Sequence, residues 1–359
     1  MSNYVECGNK IAFHPGYYIK EYIDFVGLTQ EDFANRLGTT PKNISILIRG
    51  EQSISVDIAT KLARLMGTTV KYWLNLQAEY DSLIADSNPE IVLDEEREVF
   101  KCLDYAYFRD NYELPDLPRK IDEQILEIRK FLNVSSLGVF KKKDMYVRFR
   151  NASLEKSDVS TIKANVMIQI ATNLSLKKTD IPKYDKKMFI SSVDYALSLT
   201  TQHETFYRLI KDKFYEAGVD LIVLPNISGS KINGATKKIG NHIMLMINDR
   251  NSYSDSFWFT LFHEIGHIVN GDFGVSLENE ISEIEDNANA FAEERLIPRN
   301  EYERFVSIGD YSQEAIVEFA DRINRDPGIV IGRLQKEKIV SYNDWNLNYF
   351  KTRYNINNK

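Results

Sequence analysis

The sequence predicts a mainly α-helical chain with a small β-sheet. It divides into an N-terminal all-α domain over residues 1–85, a helical connector over 86–200, a C-terminal α+β domain over 201–340 and a tail over 341–359. Three observations predict this. Two short amphipathic segments, Leu28 to Gly38 and Thr39 to Gly50, are joined by a tight turn. Three short β-type runs lie between Val219 and Asn248. Directly after them, His263-Glu264-Ile-Gly-His267 stands in a strongly apolar helical segment.

At 359 residues the chain exceeds the usual size of one domain, and a hydrophobic fraction of 43% is ample for packed cores. Cys7 and Cys102 are too few for a disulfide framework. No apolar run is long enough to span a bilayer and no signal peptide is present, so a cytoplasmic address without membrane contact is expected. The net charge of -7 and pI near 5.5 favour solubility and argue against wholesale coating of nucleic acid.

In the N-terminal domain, Thr29 caps a short helix that Gly38 ends, with Phe33, Ala34 and Leu37 facing inward. Pro41 opens a second helix and Gly50 stops it. Two such helices across a tight turn make a helix-turn-helix. Ile44, Leu47 and Ile48 pack inward, which leaves Thr39, Thr40, Lys42, Asn43 and Ser45 on the N-terminal, outward part of a helix suited to a major groove. Residues 1–80 hold as many Lys and Arg as Asp and Glu, so DNA binding would rest on a local basic edge of Lys42 and Arg49, doubled in a homodimer. A small helical domain used only for protein contact stays open.

His14-Pro-Gly16 begins a longer set of matches: Leu28-Thr-Gln30, Ile44-Ser45, Arg49-Gly50, Ile54-Ser55, and Ala59 through Trp73-Leu-Asn-Leu-Gln77 to Tyr80. This segment resembles a HigA-type antitoxin of the helix-turn-helix repressor superfamily. The resemblance implies binding to operator DNA, repression of its own operon and, with a HigB-type ribonuclease toxin as partner, neutralisation of that toxin. It places Gln30 on the DNA backbone and Thr40, Lys42 and Asn43 on bases.

The connector is bracketed by breaks at Asp86 to Pro89 and Leu114 to Pro118. Helices are expected at Asp94 to Tyr107, Lys120 to Leu132, Val159 to Ala171, Lys186 to Leu199 and Gln202 to Ala217; Lys141 to Asp144 reads as a charged loop. No chemical motif falls in this stretch. Strands are expected at Val219 to Pro225, Ile232 to Ile239 and Ile243 to Asn248, with the edge strand undetermined. The tail, with Trp345, Tyr349, Phe350 and Tyr354, reads as a docked aromatic segment.

His263 and His267 stand one above the other on a helix, so both imidazoles reach one metal while Glu264 projects toward a metal-activated water. Phe259, Leu261, Phe262, Ile265, Ile268 and Val269 nearly surround them, which buries the helix. Hydrolysis needs a third protein ligand. A metzincin would have Gly at 270 and His at 273, but the chain has Asn270 and Phe273, which excludes that class, and a downstream carboxylate is the expected ligand. Glu278, Glu280, Glu283, Glu285 and Asp286 compete. Glu285 and Asn289 are four apart on a second helix, so that one can bind metal while the other hydrogen-bonds a ligand histidine.

The run Glu285-Asp-Asn-Ala-Asn-Ala-Phe-Ala, with Leu296-Ile-Pro298, Ile232-Asn-Gly-Ala-Thr236, Phe257 to Phe262 and Gly328 to Gln335, resembles the ImmA/IrrE family of metallopeptidases over roughly residues 200–340. The resemblance implies a zincin-like fold, Zn2+ on His263, His267 and Glu285, and Glu264 as catalytic base. It also implies a protein substrate, a DNA-binding repressor. The expected function is a DNA-binding transcriptional regulator with a zinc-dependent endopeptidase domain. The alternative is a HigA-like antitoxin and autorepressor whose metal domain is structural or sensory. His14, His203 and His242 are expected to be structural or exposed, and neither Arg333 nor His242 is assigned to the oxyanion.

Overall fold

The computed structural model describes residues 4–7, 10–87, 89–142, 158–250, 253–277 and 282–354. It forms two compact units, residues 1–94 and 95–359. Among the described residues no helix is long and apolar enough to cross a membrane.

The first unit begins with an antiparallel hairpin of β1 (Tyr4–Cys7) and β2 (Lys10–Phe13), followed by α1 (Pro15–Val26), α2 (Gln30–Leu37), α3 (Pro41–Ile48), α4 (Val56–Met66) and α5 (Val70–Ser87). The helix ends follow from local chemistry. Thr29 Oγ1 accepts from the Asp32 amide at 3.1 Å, and Gly38, with φ of 69°, takes the left-handed turn that ends α2. Thr40 caps α3 and Pro41 fills its first position, where a missing N–H costs nothing. The inward residues Phe33, Leu37, Ile44 and Leu47 meet Ile19, Leu62 and Trp73 in one core.

The hairpin departs from the all-α expectation for this unit. The strands are only four residues each, too short for alternation to stand out. His14-Pro-Gly16 forms the start of α1. The buried His14 accepts from the Gly16 amide through Nδ1 at 3.0 Å, and burial pushes its pKa below the ordinary histidine value.

The second unit continues with α6 (Pro89–Lys101), α7 (Tyr105–Tyr112), α8 (Ile121–Leu132), a 3-10 turn at Leu137–Lys141, α9 (Asp158–Leu176), α10 (Lys186–Leu197) and α11 (Phe206–Glu216). The single helix expected from Asp94 to Tyr107 is two, because Asp104 turns its carboxylate onto the Ala106 amide and caps a new helix. Next come β3 (Val219–Pro225), β4 (Ile232–Ile239), β5 (His242–Asp249), α12 (Ser254–Asn270), β6 (Gly274–Leu277), α13 (Glu283–Leu296), α14 (Arg299–Ile308), α15 (Gln313–Arg322), α16 (Pro327–Lys336) and α17 (Trp345–Asn348).

The sheet order is β3-β5-β4-β6, with β3 and β5 parallel and the other pairs antiparallel. Both faces are covered. Leu221, Val223, Leu245 and Ile247 point into the core that holds α12, while Met244, on the other face of β5, meets Thr172 of α9. This is why α9 is buried over most of its length, with Val166, Met167, Ile168, Ile170 and Ala171 enclosed together with polar residues such as Asn165 and Gln169. The stretch expected as a connector thus supplies one layer of the second unit.

The tail is docked only in part. The last strand-like contact joins Tyr253 to Arg353, the Ser254 amide donates to the Thr352 carbonyl at 2.8 Å, and the Trp258 indole donates to the Tyr354 hydroxyl at 2.9 Å. Tyr354 and Leu347 are buried, whereas Trp345 and Tyr349 are each 87% exposed, contrary to the docked reading of those two rings. The tail therefore satisfies the start of α12, whose N-terminal residue Tyr253 makes no side-chain cap.

Candidate functional site

α12 is buried from Phe257 to Ile268 except for part of Phe259 and Thr260, and it packs on β4, β5, α13 and α16. Two glycines permit this closeness. A Cβ on Gly266 would stand 3.2 Å from Ala288 Cα on α13, and one on Gly234 of β4 would stand 2.5 Å from a Glu264 carboxylate oxygen. Gly234 therefore leaves the space that Glu264 occupies. Sequence reasoning did not single it out, although it lies inside Ile232-Asn-Gly-Ala-Thr236.

The structure brings His263, His267 and Glu285 together. The two Nε2 atoms are 3.0 Å apart, His263 Nε2 is 3.0 Å from Glu285 Oε2, and His267 Nε2 is 3.4 Å from Glu285 Oε1. Ligand atoms on a tetrahedral ion with bonds near 2.0–2.1 Å stand about 3.3 Å apart, so the three atoms fit such an ion. His263 Nδ1 lies 3.0 Å from Asn289 Oδ1, which orients the ring and leaves Nε2 free to coordinate. Ser282 places Glu285 in the first turn of α13 by accepting from its amide at 3.2 Å. Glu283 and Asp286 on the same turn are exposed, and Glu278 and Glu280 lie outside the described residues.

The electrostatics follow from this packing. Burial works against a charged His263, but its bond to Glu285 and the nearby Glu264 carboxylate outweigh burial and raise its pKa. Burial likewise works against an ionised Glu285, and the bonds from His263 and His267 overcome it, holding the carboxyl far below the usual range. Glu264 differs from both. It is fully buried, and neither carboxylate oxygen has a hydrogen-bond partner among the described residues. An unpartnered carboxylate beside three convergent ligand atoms fits a cation and a polar molecule bound there.

The other candidates lie apart from this cluster. His242 starts β5 and bonds Ser175 at 3.0 Å; His203 pairs with Asp326 at 3.3 Å. Arg333 donates to the carbonyls of Glu293 and Ile297 at the end of α13. In the first unit, Gln30 and Lys42 are exposed at the starts of α2 and α3. Thr40 accepts from the Asn43 amide at 3.2 Å, and Asn43 Nδ2 donates to Thr39 Oγ1 at 2.9 Å. Arg49 is held by Glu51 and Ser45, which leaves Lys42 as the more available cation of the expected basic edge.

Comparison with known proteins agrees with both halves. A helix-turn-helix family matches residues 19–73, and the Peptidase M78 family, an IrrE N-terminal-like domain, matches residues 222–333. The chain belongs to the helix-turn-helix family in its first unit and carries an IrrE N-terminal-like peptidase domain in its second. This helix-turn-helix and IrrE-like protein is 32% identical over 82 residues to virulence-associated protein I of Dichelobacter nodosus, covering 23% of this chain and 76% of the relative. It is 29% identical over 84 residues to the uncharacterized HTH-type transcriptional regulator YddM of Escherichia coli K12, covering 23% of this chain and 89% of that protein. Among solved structures, an addiction module antidote protein of a HigA family from Coxiella burnetii shares 29% identity over 25% of this chain and 91% of its own, with a TM-score of 0.21.

Titration of the metal-free protein with zinc should show one tight equivalent per chain, and His263→Ala should abolish it, since two remaining ligands hold the ion poorly. Asn289→Ala should keep the stoichiometry and weaken affinity on the order of 10–100-fold, as expected for a residue that only orients a ligand. Isothermal calorimetry with a competing chelator measures both.

Proposed function

We propose that the protein is a DNA-binding transcriptional regulator whose second unit is a zinc-dependent endopeptidase acting on a DNA-binding repressor. The observation that carries this reading is the buried, unpartnered Glu264 carboxylate beside the His263, His267 and Glu285 ligand atoms. A purely structural zinc site has four protein ligands and no need for a free carboxylate next to it. Three ligands and an adjacent base are the composition of a hydrolytic site.

Zinc held by His263 Nε2, His267 Nε2 and Glu285 would supply the positive charge that polarises a peptide carbonyl and makes water acidic near neutral pH. Glu264 takes a proton from the attacking water on one of its two free oxygens and returns it to the leaving amine nitrogen. Asn289 holds the His263 ring in place throughout. Burial of all four groups keeps bulk water from competing with that proton transfer.

For the first unit, the reading places α3 in the major groove of operator DNA, with Lys42 and Asn43 on base edges, Gln30 on the backbone, and the Thr40 hydroxyl, which accepts from the helix, still able to donate. A homodimer would present two such helices.

Glu264→Gln keeps the size of the side chain and all three ligands. Zinc content should survive while cleavage of the repressor falls about 10²–10⁴-fold on a gel. Absence of cleavage by the zinc-loaded wild-type form, with both forms regulating the promoter identically in cells, would remove the peptidase reading and favour the antitoxin-like repressor. Lys42→Ala and Asn43→Ala should each weaken retention of the protein's own promoter fragment, and Asn43→Ala should also relax preference at one base position, by about 1–3 kcal/mol. Unchanged retention by both variants would remove α3 from the interface.

A further inference from the structure

One helical turn from the metal cluster along α12, the second unit has a cleft of about 180 Å3, walled by Phe259 of α12, Leu296 and Ile297 at the end of α13, and Ile329 of α16, with Tyr342 at its rim. Its position is set by the same two helices that carry the cluster. Phe259 lies one turn before His263, and its ring packs on the imidazole with centroids 6.3 Å apart. Glu293, also in the cleft wall, lies one turn beyond Asn289. One helical turn is about 5.4 Å, and an extended peptide advances about 3.4 Å per residue. A side chain one or two residues from a bond held at the cluster is long enough to span that turn.

The charges in the wall decide what kind of side chain fits. Asp255 is paired with Lys351 at 2.6 Å, Glu293 with Lys336 at 3.0 Å, and Arg333 with Glu337 at 3.1 Å. Each charged group of the wall already has its counter-ion within the protein. A charged visitor would lose its hydration and find no charge that is not already paired, and Asp255 Oδ1, which has no hydrogen-bond partner among the described residues, is itself buried, so the exchange is costly. An apolar visitor would lose nothing comparable. The volume is that of a single ring or branched side chain, since a cavity of about 150 Å3 suffices for benzene.

We propose that this cleft is the specificity pocket of the second unit, and that it seats a large uncharged apolar side chain, aromatic or branched aliphatic, adjacent to the bond that is cut. The proposal rests on the peptidase reading above and names the class of sequence that the peptidase selects. Lys336, a half-exposed residue of the cleft lining, holds its ammonium 4.3 Å above the Phe259 ring.

The test uses the full-length zinc-loaded protein and two kinds of probe. In ligand-observed NMR, N-acetyl-phenylalaninamide should bind at least tenfold more tightly than N-acetyl-lysinamide. Lys336→Trp, a change at a half-exposed position that fills the cleft, should weaken phenylalaninamide binding at least tenfold, and Tyr342→Ala at the exposed rim should weaken it less; thermal melts confirm that both variants fold. Equal binding of the two amides, or binding unchanged in Lys336→Trp, overturns the proposal. A peptide series varied at one position beside the cleaved bond should show kcat/KM at least tenfold higher for Phe or Leu than for Lys or Asp. Phenylalaninamide that binds without competing with such peptides would make the cleft an effector site and overturn its role in specificity. The NMR comparison does not depend on hydrolysis, so loss of the peptidase reading and loss of the pocket give different results.

Discussion

His263, Glu264, His267 and Glu285 are ionisable groups held in an interior that water hardly reaches, and the layout of the second unit follows from keeping them compatible with that burial. Burying an ion without a partner costs several kcal/mol even after relaxation. Glu285 avoids this by contact with both imidazoles, and His263 by contact with Glu285 and Asn289. Glu264 has no such relief among the described residues. A fold that tolerates this group must gain elsewhere, and it gains from enclosing α12 between the sheet, α13, α16 and the C-terminal segment.

The enclosure also explains why the site is built from these positions and not their neighbours. Glu283 and Asp286 share the first turn of α13 with Glu285, yet they face solvent, because only the face carrying Glu285, Ala288 and Ala292 packs on α12. Small residues at Gly266 and Ala288 bring the two helices close enough for a short carboxylate to reach both imidazoles. On the other side, Gly234 is what lets β4 approach Glu264 without displacing it. The ligand geometry is thus a consequence of helix and strand spacing rather than of the four polar residues alone.

Much of this was legible in the sequence because the relevant signals are local. The caps at Thr29 and Gly38 and the Pro41 start fix α2 and α3, and the period of four in His263/His267 and Glu285/Asn289 fixes which side chains share a face. The strands β3 and β4 fall on the β-type runs that end at Pro225 and Ile239. What escaped depends on tertiary packing or on short elements. The hairpin β1–β2 and the strand β6 are four residues each. The role of α9 as a layer over the sheet needs the knowledge that Met244 faces away from α12, which no single segment reveals. The tail aromatics look alike in sequence, but only Tyr354 finds a partner in Trp258, while Trp345 and Tyr349 face outward. The closeness of Gly234 to Glu264 joins residues 30 apart and was invisible to spacing arguments.

The central claim is that Glu264 lies beside a three-ligand zinc site in a structure that leaves its carboxylate free to move a proton. Anomalous diffraction at the zinc edge from crystals of the zinc-loaded full chain tests it most directly. The account predicts one peak per chain, about 2.0–2.1 Å from both Nε2 atoms and in contact with Glu285, with Glu264 close by but not bound to the ion. A peak that takes Glu264 as a fourth protein ligand, or one held by Glu283 or Asp286 in place of Glu285, would contradict it.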